Sequence, residues 1–414
     1  MVTELGMRHL ALLLSFVLIA FAGRALAAET TLDVGIFSGQ RITACTIDSQ
    51  SALRLESPGE EEARELPRGI TLTLSAKVGA VRLQRSDGGA EGLDVGFLIS
   101  SASPLRVCPG AGKARTYRGT LRLAATGDSL QLINQVELED YLRGVVPAEM
   151  PAEFAPEALK AQVITARTYA LVNRARHARD GFNLCDRVHC QAYLGVDWED
   201  RRVDAAIEET KGLILTYRGA LASVVYHDTC GGQTAAVETA WPGARPLPYL
   251  ISVDDTYAVA PLCQASPKAR WTRRITQEQL SGALATYGVT APVTMVQPRG
   301  CEHGGRADHY RLVGKDAEWT VPAGALRQAV TRALGADALP SADFVADIAS
   351  DTISFTGWGN GHGVGLCQWG ANALAKQGLS ASQILAHYYP GTEIEPATLQ
   401  SATTPLRSPS PPTS

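Results

Sequence analysis

The segment Pro156-Glu157-Ala158-Leu159-Lys160-Ala161-Gln162-Val163-Ile164-Thr165-Ala166-Arg167-Thr168-Tyr169-Ala170-Leu171-Val172-Asn173-Arg174 decides how this chain is read. Pro156 suits the first turn of a helix, where its missing N–H is not needed, and Glu157 sits at the positive end of the helix dipole. Leu159, Val163, Ala166 and Ala170 recur at spacings of four, three and four, which makes one apolar face. The spacing predicts a helix over 156–174. Upstream the pattern changes. Residues 71–74, 93–97 and 120–123 alternate apolar with polar or small side chains, and Gly, Asp and Ser separate the runs. That predicts short antiparallel strands from 30 to about 133. Downstream, a second helix is expected over 203–211 with Gly212 as its stop. Residues 213–217 and 221–227 read as a hairpin about Arg218-Gly219-Ala220. A helix follows over 370–377, and a last one begins at the capping box of Ser380 and Gln383. The expected fold class is α+β: a β-rich N-terminal portion, then a mixed α+β core with a long helix after Glu149-Met150-Pro151.

The ends bound the compartment. Arg8 and His9 precede an apolar run from Leu10 to Ala22, and Ala25-Leu26-Ala27 follows. A basic flank, a short apolar core and a small-residue site make a cleavable secretory signal. The run falls short of the roughly 20 residues a membrane span needs, so no span is expected after cleavage behind Ala27. Residues 401–414 are dominated by Ser, Thr and Pro and have little to bury, which predicts disorder. The expected division is a signal peptide over 1–27, a β-rich region over 28–116, a main domain over 117–398 and a disordered tail over 399–414. The net charge of −4, with no run of Lys or Arg, argues against nucleic acid as a partner.

Four segments carry residues suited to chemistry. In Leu138-Glu139-Asp140-Tyr141-Leu142-Arg143-Gly144-Val145-Val146-Pro147-Ala148-Glu149-Met150-Pro151, Glu149 stands between apolar residues and two prolines. A carboxyl group partly desolvated on a stiff turn has a raised pKa and serves as a general acid. In Cys185-Asp186-Arg187-Val188-His189-Cys190, two thiols and an imidazole lie within six residues, with His177 upstream as a fourth ligand. Such S and N donors suit structural zinc, while an oxidising compartment favours a disulfide instead. The third segment, Tyr226 to Thr234, offers a Cys–His pair in Cys230 and His227 beside Gly231 and Gly232. The fourth, Gly357 to Gly370, alternates glycine with Trp358, Asn360, His362, Gln368 and Trp369. It fits neither a dinucleotide nor a P-loop pattern, while its rings suit sugar faces. By elimination, Cys45 is expected to pair with Cys108 and Cys263 with Cys301, since the other four cysteines lie in these segments.

Taken together, these segments resemble the stage II sporulation protein D and amidase-enhancer (SpoIID/LytB) family. The likeness runs from about residue 117 to 392. It is carried by 138–151, by Glu157-Ala158-Leu159-Lys160-Ala161-Gln162 with Ala166-Arg167-Thr168-Tyr169-Ala170, and by Tyr226-His227 with Gly231-Gly232. Gly361-His362-Gly363-Val364-Gly365 with Gln368, and Tyr388-Tyr389-Pro390-Gly391-Thr392, complete it in the same order. The resemblance implies a lytic transglycosylase acting on peptidoglycan glycan strands stripped of stem peptides, located in the periplasm or cell-wall space. It implies Glu149 as the catalytic acid, and Tyr141, Arg167, Tyr169, His227, Gly231, Gly232, His362 and Gln368 as substrate-binding residues. It also implies zinc held by a loop like Cys185, His189 and Cys190, with His177. Such an enzyme attacks with the sugar's own C6 hydroxyl, so one carboxyl group can act as acid and then as base. Glu153, Glu157 and Glu238 stay open as a second carboxyl. The alternative reading is a non-catalytic wall-binding partner that enhances an amidase, and a third is a hydrolase using Cys230 and His227.

Overall fold

The computed structural model describes residues 30–58, 62–89, 92–110, 112–300 and 306–397. The expected signal segment, the tail and Cys301 lie outside the described residues. The chain divides into two compact units, one of 1–153, 166–214 and 395–404, the other of 154–165, 215–394 and 405–414.

The first unit is built on two sheets. Along the larger run Leu184–Cys185, Thr31–Ile36, Ser129–Glu137, Thr120–Thr126, Gly96–Ser101, Leu53–Glu56 and Arg64–Leu66. Its pairs are antiparallel, save that Leu184–Cys185 runs parallel to Val34 and Gly35. The smaller sheet runs Arg115–Tyr117, Leu105–Pro109, Ala44–Ser49, Leu72–Lys77, Ala80–Arg85 and Gly92–Asp94. The sequence alternation becomes alternation of faces: Leu53 and Leu55 are buried while Arg54 is exposed, and Leu72 and Leu74 enclose an exposed Thr73. A side chain pointing to each face in turn is what a pleated strand with one solvated side requires.

Three helices follow. Helix α1 (Leu138–Glu149) buries Leu138, Tyr141, Leu142, Val145 and Val146, a stripe at spacings of three and four. The sequence reading placed Glu149 on a turn. It is instead the last residue of this helix, which contains Pro147, and Met150 closes the final turn by donating its N–H to Val146 O. Helix α2 (Pro156–Val172) is the expected long helix, and its residues through Thr165 group with the second unit. Helix α3 (Arg201–Glu209) starts on Asp200, whose side chain accepts the Arg202 N–H at 2.8 Å.

The second unit centres on two three-stranded antiparallel sheets. One has Arg270–Thr276, Thr352–Trp358 and Phe344–Ala349, the other Val293–Arg299, His309–Gly314 and Glu318–Pro322. The short helix α4 (Val237–Ala240) precedes them in the chain, and α5 (Gln277–Ala283) and α6 (Ala323–Leu334) lie among them in sequence. Trp271, Leu280, Tyr310, Leu326, Phe344 and Phe355 form part of their shared core. Helices α7 (Gln368–Lys376) and α8 (Ala381–Tyr388) follow, α8 opening on the predicted Ser380/Gln383 capping box. A short parallel pair joins Tyr226–His227 to Leu366–Cys367. Gly365 enters it with φ +69°, and a Cβ there would collide with Val225 O, so only glycine fits this approach. Among the described residues no helix is long and apolar enough to cross a membrane.

Candidate functional site

In the first unit, Glu149 is held at the end of α1 and is partly buried. Its Oε1 accepts the backbone N–H of Ala192 at 2.6 Å. Ala192 lies two residues past Cys190, so the acidic group and the Cys185–Cys190 loop share one stretch of backbone. Tyr141, expected to touch substrate, is buried at 0% exposure and donates its hydroxyl to Gln191 at 3.2 Å. Tyr169 is 7% exposed, and its hydroxyl accepts from Arg176 at 3.2 Å. Arg167 is fully buried. Its fork grips both oxygens of Glu139 at 2.9 and 2.7 Å, and its remaining nitrogen reaches Leu213 O at 3.0 Å. A fork spent in this way holds α2 to α1 and to the strand after α3. These three side chains are therefore placed to support the site rather than to line it.

The loop itself brings the four expected ligands together. One donor atom each from His177, Cys185, His189 and Cys190 lies within 4.8 Å of the others. His189 Nδ1 is 3.6 Å from Cys185 Sγ and 3.7 Å from Cys190 Sγ. His177 places Nδ1 2.7 Å from Asp180 Oδ2, while its Nε2 is buried without a protein partner. An imidazole tied to a carboxylate through one nitrogen, with the other directed into a sulfur cluster, is the arrangement a metal ligand takes. The Cys185 thiol is held down to about 4, first by a hydrogen bond from Cys190, whose own thiol is pushed up. Between the cysteines, the buried Asp186 accepts from Phe37 N at 2.7 Å, Ser38 N at 3.1 Å and Arg115 Nη1 at 2.9 Å. This ties the loop to the turn after the first strand. The donor set and its support fit zinc.

In the second unit, His227 is 4% exposed and its Nδ1 lies 3.1 Å from Val364 O. Its ring stands 5.5 Å from that of His362, which packs 4.9 Å from Trp241. Burial, then the Arg327 guanidinium, holds His362 down to about 3, and burial lowers His227 strongly. Gln368 is 3% exposed, with Nε2 3.4 Å from Gln162 Oε1. Gly231 and Gly232 do line a cleft, one of about 930 Å³ that also presents Trp358, Arg306, Asp254 and Asp308. Trp369 packs edge-on against Phe154 instead.

Two expectations about cysteine are corrected. No hydrogen bond joins Cys230 to His227: the buried Cys230 thiol faces Asp255 Oδ2 at 3.0 Å and Cys263 Sγ at 3.6 Å. The elimination that paired Cys263 with Cys301 fails, because Cys263 sits with Cys230 and Cys367. Cys45 and Cys108 do lie on adjacent strands in neighbouring register, and both thiols are free. Burial and the nearby Cys108 push the Cys45 thiol up to about 12. Sequence reasoning missed Asp255 and Cys263 because nothing in their spacing, 25 and 33 residues from Cys230, marks them as partners.

An antiparallel β-rich body leading into a helix that ends on an acidic residue, beside a His/Cys loop, defines the class to which the comparisons then give a name. The profile "SpoIID: Stage II sporulation protein" matches residues 126–217, which contain Glu149 and His177, Cys185, His189 and Cys190. Stage II sporulation protein D of Bacillus subtilis (strain 168) is 33% identical over 286 residues, covering 64% of this chain and 77% of that protein. An uncharacterized protein of Brachyspira hyodysenteriae is 31% identical over 280 residues, covering 67% of this chain and 72% of its own length. The amidase enhancer of Bacillus subtilis (strain 168) is 30% identical over 304 residues, covering 61% of this chain and 40% of that protein. The chain belongs to the stage II sporulation protein D (SpoIID) family.

Proposed function

We propose that this protein is an exported cell-wall enzyme, a lytic transglycosylase that cuts peptidoglycan glycan strands with Glu149 as its acid and base. The observation that carries this reading is the hydrogen bond from Ala192 N to Glu149 Oε1, which orients one carboxyl group at the end of α1. Breaking a glycosidic bond needs a proton on the leaving oxygen. The carboxylate left behind then takes the proton of the muramic acid C6 hydroxyl as that oxygen closes on C1. The products are a free strand end and a 1,6-anhydromuramic end, and no second carboxylate is required. Zinc at Cys185, His189, Cys190 and His177 would fix the backbone that runs on to Ala192. With four protein ligands it would be closed to substrate, and its contribution would be structural.

Glu149→Gln keeps the shape and the Ala192 contact but has no proton to give, and cleavage of peptide-free glycan should fall by on the order of 10²-fold or more. Glu157→Gln serves as the control. That carboxyl is already engaged, by Lys160 Nζ at 2.8 Å and the Ala381 N–H at 2.7 Å, so its loss should leave the rate near wild type. A Glu149→Gln enzyme as fast as the wild type would overturn the assignment of Glu149, while a wild-type protein that leaves peptide-free glycan intact would favour the second reading, an enhancer of an amidase, which rests on the relative of that name.

A further inference from the structure

The second unit gathers four further ligating side chains, apart from Glu149 and the Cys185 loop. Cys230, Asp255, Cys263 and Cys367 are all buried, and one donor atom from each lies within 4.8 Å of the others. Three separate stretches of chain deliver the cysteines. Cys230 opens the turn through Gly231 and Gly232, Cys263 lies in the single turn Leu262–Ala265, and Cys367 is the N-cap of α7. The Cys230 and Cys263 sulfurs stand 3.6 Å apart. Tetrahedral zinc with Zn–S near 2.3 Å sets its sulfurs about 3.8 Å apart, whereas a disulfide holds them at about 2.05 Å.

The surroundings are polarised for thiolates. Four backbone N–H groups point at three sulfurs: Cys230 N at Cys367 Sγ (3.3 Å), Gly231 N at Cys263 Sγ (3.3 Å), Gly232 N at Cys230 Sγ (3.2 Å) and Gly370 N at Cys367 Sγ (3.4 Å). The turn that aims two of them has φ +88° at Gly231 and +114° at Gly232, conformations open to glycine. A neutral thiol is a weak acceptor and gives little reason for four donors to converge, while a metal-bound thiolate does. Asp255 completes the set. Its Oδ1 accepts from Tyr388 at 2.8 Å and faces His387 Nε2 at 3.2 Å, which turns Oδ2 toward the sulfurs. Gly370 must be glycine here, since a Cβ would collide with Asp255 and Tyr388.

We propose that Cys230, Cys263, Cys367 and Asp255 bind one structural divalent metal of the zinc class, separate from the Cys185 loop. Binding displaces the thiol protons and pins the Gly231-Gly232 turn, which lines the large cleft, to α7 and to the Leu262–Ala265 turn. The test is metal content of the full-length chain made under zinc-replete conditions, compared among wild type, His189→Ala, Cys263→Ser and Asp255→Asn. Cys263→Ser should lose one metal per chain relative to wild type whatever His189→Ala does, and Asp255→Asn should bind zinc at least about 10-fold more weakly. Cobalt loaded into His189→Ala should give thiolate-to-metal charge-transfer absorption, a readout that does not require the serine variant to fold. Equal metal in wild type and Cys263→Ser, no such absorption, or a Cys230–Cys263 disulfide in unreduced peptide maps would each overturn the proposal.

Discussion

Arg167 shows how one residue's motif membership and its structural role can part. It belongs to the Ala-Arg-Thr-Tyr-Ala segment that carries the family likeness, yet its guanidinium is 0% exposed and bidentate to Glu139. Removing one partner of a buried ion pair strands the other charge and costs about 3–5 kcal/mol. Arg167→Met should therefore lower stability by that order, measured by urea unfolding, and Glu139→Leu added to it should restore part of the loss. A variant of unchanged stability with a raised KM would make Arg167 a substrate contact after all. His227 and His362 supply a second expectation. Both are held below the ordinary histidine value, so under about pH 6.5 the unfolded chain takes up protons that the folded chain refuses. Stability should fall as pH drops from 6.5 toward 3, approaching about 1.4 kcal/mol per unit for each such group. The slope should be shallower in His362→Asn, and an unchanged slope would contradict the assignment.

At the scale of elements, the pattern of helix and strand was legible wherever a period was clean. The helix over 156–172, the Ser380 capping box and the alternating strands 72–77 and 120–126 follow from it. Helix α1 was not read. Gly144, Val145, Val146 and Pro147 argue locally against a helix, although Leu138, Tyr141, Leu142, Val145 and Val146 already held its buried stripe. Burial outweighed propensity there, as it does when a face packs well. The clustering of His177, Cys185, His189 and Cys190 was legible because these residues are close in sequence. The Cys230 cluster was not, because the fold alone brings 230, 255, 263 and 367 together. The Cys185 loop also yields a prediction. His189→Ala should lose zinc while Glu149→Gln keeps it, and chelation should lower thermal stability more than the intrinsic rate of cleavage. Elemental analysis of zinc-replete protein decides this, and absence of zinc would leave a Cys185–Cys190 bridge as the better account.

For the whole molecule, the two units carry different parts of the reading. The first holds Glu149 and the His/Cys loop within the stretch matched by the SpoIID profile. The second holds the cleft of about 930 Å³ with Trp358 and the two glycines. On the function proposed above, the chain breaks glycan by internal attack. Mass analysis of the products after the purified protein is incubated with peptide-free peptidoglycan strands tests this most directly. The expected products are fragments ending in 1,6-anhydromuramic acid, lighter by one water than hydrolytic products, and absent with Glu149→Gln. Fragments with ordinary reducing ends, or intact strands from the wild-type protein, would contradict it.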